Sequence, residues 1–231
     1  SSGNTAIAYA TLLKPLGWKP TICLPSNASA ERKNILKSLG AELILTSPLE
    51  GTDGAQIVAK ETYAANPDKY FYADQYSNDA NWQAHYLTTA EEIWTQTKGK
   101  ITHFVAGLGT TGTFVGTARR LKELGNVQLI SLQPDHPFHP LEGWKHLATA
   151  HRPGIYDDTL ADKTLVIDSS GVFDMIKSIS IHERLFISPS GAANLLGALA
   201  VASQIKEGDI VTTLADTLDR YQEVRKEIFG T

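Results

Sequence analysis

The chain has 231 residues, enough for one large domain or two modest ones, and its 42% hydrophobic and 20% charged residues mark a globular protein. A net charge of −4 gives no electrostatic case for nucleic acid or an anionic membrane surface, and no apolar run is long enough to span a bilayer. One cysteine, Cys23, excludes an intrachain disulfide framework and suits a reducing, cytoplasmic setting.

In chain order, the loop Ser1-Ser-Gly-Asn-Thr5 opens into a helix over 6–13 that ends near Gly17. A strand over 21–24 is closed by Pro25, and Ser29 caps a helix that Gly40 stops. A strand over 41–46, a helix over 55–65 and a strand over 70–72 follow, the last ending at Asp74-Gln75-Tyr76. The pattern then predicts one helix over 81–96, a strand over 101–106, a helix after Gly112 and a strand over 127–132. The segment 134–158 is too long for a simple connection and reads as a functional loop or lid. Strands over 165–167, 185–187 and 210–214 alternate with helices over 173–183, 190–205 and 219–228. This alternation predicts an α/β fold with mainly parallel sheet and helices on both faces. A turn-rich composition near 77–80 divides the chain into a smaller domain, 1–79, and a larger one, 80–231.

The stretch 101–124 is the most informative. A short, buried-type strand runs into Gly107-Leu-Gly109-Thr-Thr-Gly112-Thr113, and an amphipathic helix follows at once. The first N–H groups of that helix have no partner inside it, and the helix dipole adds partial positive charge there. Glycines admit close approach of a ligand, and Thr110, Thr111 and Thr113 add hydroxyl donors, so the loop reads as a phosphate cradle. Gly107-x-Gly109-x-x-Gly112, with Asp135 after the next strand, also fits a dinucleotide fingerprint, which keeps a dinucleotide-binding module open. His136, His139, His146 and His151 share one segment, but their irregular spacing and the lack of a nearby cysteine do not make a metal site.

Several motifs together resemble the cysteine synthases, pyridoxal-phosphate enzymes of the tryptophan-synthase-like class. Ser1-Ser-Gly-Asn-Thr5 resembles the family's asparagine loop, and Gly109-Thr-Thr-Gly-Thr113 its phosphate loop. Ser190-Gly-Ala-Ala193 resembles the loop beneath the pyridine ring, and Asp216 with Arg220-Tyr221 its closing motif. Glu31-Arg32, Gly40-Ala41-Glu42 and Thr88-Thr89 before Glu92-Ile93-Trp94 extend the likeness along nearly the whole chain. The resemblance implies two three-layer α/β domains with the cofactor in the cleft, the smaller domain carrying the asparagine loop and the larger binding the cofactor phosphate. It implies that Asn4 meets the cofactor's ring oxygen, that Gly109, Thr110, Thr111, Gly112 and Thr113 hold its phosphate, and that Ser190 lies at the pyridine. Ser1, Ser2, Thr5 and Gln75 would grip the carboxylate of an amino-acid substrate.

Three positions depart from the family pattern. The Schiff-base lysine precedes the asparagine loop in this family, whereas Lys14 and Lys19 follow it, so no catalytic residue is assigned here and the lysine is expected upstream. The 231 residues by themselves are therefore expected to be an inactive, incomplete piece. Pro189 stands where a serine or threonine is usual, leaving Ser190 or Ser188 as the pyridine partner, and Leu218 stands for a usual glycine. The expected activity is β-replacement on O-acetylserine, or a related O-activated serine, with sulfide to give L-cysteine, in a cytoplasmic homodimer. Alternatives are a cystathionine-β-synthase-like enzyme, a dinucleotide-binding module and a non-catalytic fragment. Lys145, His146 and Arg152 are the cations that a phosphorylated donor would need; otherwise they are surface groups of the lid.

Overall fold

The structure, a computed structural model, describes residues 3–230. It divides into two compact units, 1–73 and 74–231, so the division falls between Ala73 and Asp74 where the composition had placed it near 77–80.

In the first unit α1 (Asn4–Leu13), β1 (Thr21–Pro25), α2 (Ala30–Ser38), β2 (Glu42–Thr46) and α3 (Gly51–Ala65) alternate. Strands β1 and β2 pair in parallel, Thr21 opposite Glu42 and Pro25 opposite Thr46. Ser29 caps α2 as its sequence position predicts, its Oγ accepting the Arg32 N–H at 3.2 Å. The core here is Ala6, Ala10, Ile22, Leu24, Leu36 and Ala41. The expected strand over 70–72 is not formed. Its Tyr-Phe-Tyr run has strand propensity but no neighbouring ladder among the described residues, and Phe71 is exposed.

The second unit holds α4 (Ala80–Leu87), α5 (Thr89–Gln96), β3 (Ile101–Gly107), α6 (Gly112–Leu124), β4 (Gln128–Pro134), β5 (Lys163–Ile167), α7 (Val172–His182), α8 (Pro189–Ala202), β6 (Asp209–Thr212) and α9 (Gln222–Phe229). The described strands form a four-stranded sheet in the order β5-β4-β3-β6, every pair parallel. Alternate residues of the central strands face opposite ways. Phe104, Ala106 and Leu129 join Phe114, Ala118 and Leu121 of α6 on one side. Val105, Ile130 and Leu132 join Val172, Ile176, Ala192 and Ala193 of α7 and α8 on the other. Each of the valine, leucine, isoleucine and phenylalanine side chains buried here contributes about 1.5–3 kcal/mol.

Three expectations are corrected here. The single helix over 81–96 is two, because Thr88 leaves helical geometry at φ −121° and ψ −70°. The run 185–187 is not a strand. Leu185 and Phe186 are about half exposed, and Ile187 makes a lone antiparallel bridge to Thr217. The last helix is split by Tyr221 into a single tight turn at Leu218–Arg220 and α9.

Candidate functional site

Parallel strands all end on one side of their sheet, and ligands of open α/β sheets gather there. In the second unit the loops after β3 and β6 and the start of α8 come together at that side. Asn194 of α8 ties them. Its Oδ1 accepts the Gly107 N–H at 2.8 Å, and its Nδ2 donates to the Thr213 carbonyl at 2.8 Å and hydroxyl at 3.1 Å. Asn194 is buried, and its amide supplies the two kinds of hydrogen bond that two strand ends need.

After β3 the chain turns through Leu108, Gly109, Thr110 and Thr111 into α6. Thr111 sits in the left-handed region at φ 73° and ψ −8°, uncommon for a β-branched residue. It is buried, and its Oγ1 has no hydrogen-bond partner. Thr110 Oγ1 accepts from Asn81 Nδ2 at 3.0 Å and from the Gly112 N–H at 3.4 Å. Asn81 Nδ2 also donates to the Gln75 carbonyl at 2.6 Å, so one amide joins the turn holding Gln75 to the glycine–threonine loop. That amide lies so close to Gly112 that a Cβ there would come 1.9 Å from its Oδ1. Thr113 Oγ1 lies 3.2 Å from His85 Nε2, and His85 Nδ1 lies 3.0 Å from Thr89 Oγ1. Burial pushes the His85 pKa below the ordinary imidazole value.

At α8, Pro189 takes the first helical position, where its missing N–H costs nothing. Ser188 is the cap: its Oγ accepts the Gly191 N–H at 3.2 Å and lies 3.1 Å from Ser190 Oγ. Ser188 is fully buried and Ser190 half-buried. Tyr221 donates to Asp216 Oδ2 at 3.2 Å, and the Asp216 carbonyl accepts the Ser188 N–H at 3.3 Å, so the closing motif braces this loop. Leu218, in place of a glycine, fills the core beside Val172 and Ile187.

The segment 134–158 is irregular, as its composition predicts, and it packs down at several points, Leu141 and Ile155 among them. The Lys145 N–H donates to the Leu108 carbonyl at 2.8 Å, and the Trp144 indole covers Gly107. Lys145 is 5% exposed, with Nζ 5.1 Å from the centre of the Tyr76 ring. It is therefore not a surface lid residue, whereas Arg152 is exposed and paired with Asp158 at 3.0 Å. His139 spends its Nδ1 on the Leu141 N–H.

In the first unit, Asn4 and Thr5 begin α1 directly after Gly3, whose φ is 139°. Asn4 is exposed and Thr5 half-buried. Ser1 and Ser2 lie outside the described residues. Lys14 and Lys19 are exposed, and Lys14 donates to the Ser38 carbonyl at 3.1 Å. The second unit thus brings together Gly109, Thr110, Thr111, Gly112, Thr113 and Gln75 through Asn81. Asn81, His85 and Asn194 belong to no motif in the sequence; the four-residue spacing of His85 and Thr89, which puts two helical side chains side by side, is the one signal for them.

The model of the pyridoxal-phosphate dependent enzyme family matches residues 1–216. A cysteine synthase from Aquifex aeolicus is 44% identical over 226 residues, covering 96% of this chain and 69% of that protein. Cysteine synthase B of Escherichia coli is 36% identical over 222 residues, covering 96% and 72%. Among solved structures, cysteine synthase from Entamoeba histolytica superposes with a TM-score of 0.89 at 30% identity, covering all of this chain and 70% of that one. An O-acetylserine dependent cystathionine beta-synthase from Helicobacter pylori superposes with a TM-score of 0.89 at 31% identity, covering 96% and 75%. With the family model matching residues 1–216 and a cysteine synthase 44% identical over 96% of this chain, the chain belongs to the cysteine synthase family of pyridoxal-phosphate-dependent enzymes.

Proposed function

We propose that the protein makes L-cysteine by β-replacement, exchanging the acetate of O-acetylserine for sulfide. The observation that carries the reading is Thr111. A buried hydroxyl without a partner costs about 1–3 kcal/mol, and a β-branched residue at positive φ adds strain. Both fit a loop shaped for an anionic ligand at the start of α6. Pyridoxal phosphate, when bound, supplies the electron sink that makes an amino acid's α proton removable and its β substituent able to leave.

The chain's own residues do the rest. Gly109, Thr110, Thr111, Gly112 and Thr113 hold the phosphate with hydroxyls and with the first N–H groups of α6. Ser190, half-buried beside the fully buried cap residue Ser188, meets the pyridine. Asn4 meets the ring oxygen. Gln75 and Thr5, with Ser1 and Ser2, take the substrate carboxylate and fix the Cα–H bond for proton removal. The larger unit takes the phosphate and the smaller unit carries the asparagine loop. We also infer a cytoplasmic homodimer from the family likeness, with the buried, unbridged Cys23 in keeping with a reducing compartment.

The test is L-cysteine formation from O-acetylserine and sulfide by the protein as its gene encodes it, loaded with pyridoxal phosphate. No cysteine from the loaded protein would overturn the reading. The Helicobacter pylori neighbour favours a second reading in which a thiol replaces sulfide. Preference for homocysteine over sulfide in the same assay would select it.

A further inference from the structure

Arg32 is the one cation that the first unit buries among its described residues, at 6% exposure. Its place on α2 works against a positive charge twice over. Ser29 caps the helix by accepting the Arg32 N–H, so Arg32 stands in the first turn, where the helix dipole already leaves partial positive charge. Burial then takes the guanidinium out of water. A cation kept there has a use close by, and what lies close by is the asparagine loop. A Cβ on Gly3 would come 2.6 Å from Arg32 Cδ and 3.1 Å from Nε, so the arginine lies against the backbone just before Asn4. Gly3 is buried, its φ is 139°, and its carbonyl accepts the Ile7 N–H at 2.8 Å to begin α1. Glycine suits both that angle and that contact, because it has no Cβ. Asn4 and Thr5 follow at once, and the guanidinium is thus fixed beside the turn that presents them. A charge screened from water acts on its surroundings far more strongly than one in solvent.

We propose that Arg32 is a specificity-determining residue of the amino-acid site: with this charge beside it, the asparagine loop takes the carboxylate of an α-amino acid and discriminates against a neutral amide in the same place. Hydroxyl and N–H donors serve a carboxylate oxygen and an amide oxygen alike, so they select for shape and leave the charge unread. Arg32 supplies the response to charge. It touches the loop at Gly3 and not the substrate, and so acts as a positioning residue. This inference rests on the reading of Thr5 and its neighbours as the grip on the substrate carboxylate.

The test uses the protein as its gene encodes it, loaded with pyridoxal phosphate, and reads the dissociation constants of L-serine and L-serinamide from the change each makes in the cofactor's visible absorption. Arg32→Met keeps the buried stem and removes the charge. It should weaken L-serine about tenfold, leave L-serinamide within about twofold, and raise KM for O-acetylserine about tenfold with kcat little changed. Arg32→Lys, which returns a charge on a similar stem, should restore most of the L-serine affinity. Equal loss for both ligands would make Arg32 a packing residue and overturn the proposal, as would no loss for either, or a lysine variant no better than the methionine one. Should the methionine variant not fold, judged by its urea midpoint, Arg32→Gln carries the same comparison. If Thr5→Val weakens L-serine and Arg32→Met does not, the proposal fails while the loop reading stands. If Thr5→Val and Gln75→Ala both leave L-serine affinity unchanged, the loop reading falls and takes the proposal with it.

Discussion

Thr111 carries opposite consequences for the free and the loaded protein. Thr111→Val keeps the branched shape at φ 73° and removes the orphaned hydroxyl. The free protein should gain about 1 kcal/mol in urea unfolding, while cofactor retention should fall roughly tenfold. A variant that loses stability and keeps its cofactor would show that the hydroxyl serves the fold instead. Lys145 makes a second case. It is buried against Tyr76, and its backbone N–H bonds the Leu108 carbonyl beside the glycine–threonine loop that is proposed to hold an anion. A phosphorylated serine carries close to two negative charges on its leaving group, acetylserine none. Lys145→Met should therefore lower kcat/KM for O-phosphoserine selectively, by about tenfold for each 1.4 kcal/mol lost. Equal kcat/KM changes for the two donors would leave Lys145 a packing residue on the Tyr76 ring. The residues of the loop were legible in the sequence because glycine and threonine at a strand–helix junction have few other uses. Asn81 and Asn194 were not legible, since an asparagine in a helix announces nothing about a partner dozens of positions away.

Helices α4 and α6 pack with almost no side chain between them at one point. A Cβ on Gly116 would lie 2.0 Å from the Trp82 carbonyl oxygen, a backbone atom that cannot swing aside. Gly116→Ala gains about 1 kcal/mol of helix propensity but forces the helices apart, at about 1–3 kcal/mol. The net change should be a lower urea midpoint and, because α4 carries Asn81 and His85, a weaker grip on the cofactor. An unchanged midpoint would mean that the pair can slide without cost. Helix and strand positions were largely readable because the periodicity of Phe114, Ala118 and Leu121 follows directly from the face they bury. The break at Thr88 was not readable, since threonine is an ordinary helix residue and only its dihedrals reveal the bend. The runs 70–72 and 185–187 misled for one reason: strand propensity shows in the residues, but a pairing neighbour does not.

At the scale of the whole molecule, acid is the informative perturbation. Burial lowers the pKa of both His85 and His139 relative to the ordinary value of about 6.5. Between the folded and unfolded values the unfolded chain binds more protons, so stability rises with pH. Their contribution is present above about pH 6.5 and is lost as pH falls from there toward the folded values. Urea unfolding at pH 7.5 and pH 5.5 should show the loss, and His139→Gln should flatten it. A slope unaltered in that variant would assign the acid sensitivity to other groups. The α/β organisation was visible in the alternation of elements, and the polar stretch after Tyr76 belongs to the turn and helix start that Asn81 anchors.

The Trp144 indole occupies the space in which any side chain at residue 107 would begin, with Cε2 2.0 Å from the ideal Cβ position. In evolutionary terms the two positions constrain the order in which they can change. Gly107→Ala is closed while tryptophan stands at 144, whereas shrinking Trp144 first leaves a gap that a methyl group at 107 partly refills. The route through Trp144→Leu is open and the reverse route is not, so the double variant should be more stable than the sum of its single changes predicts. Related chains that carry a side chain at the end of this strand are expected to have reached it by losing the tryptophan first.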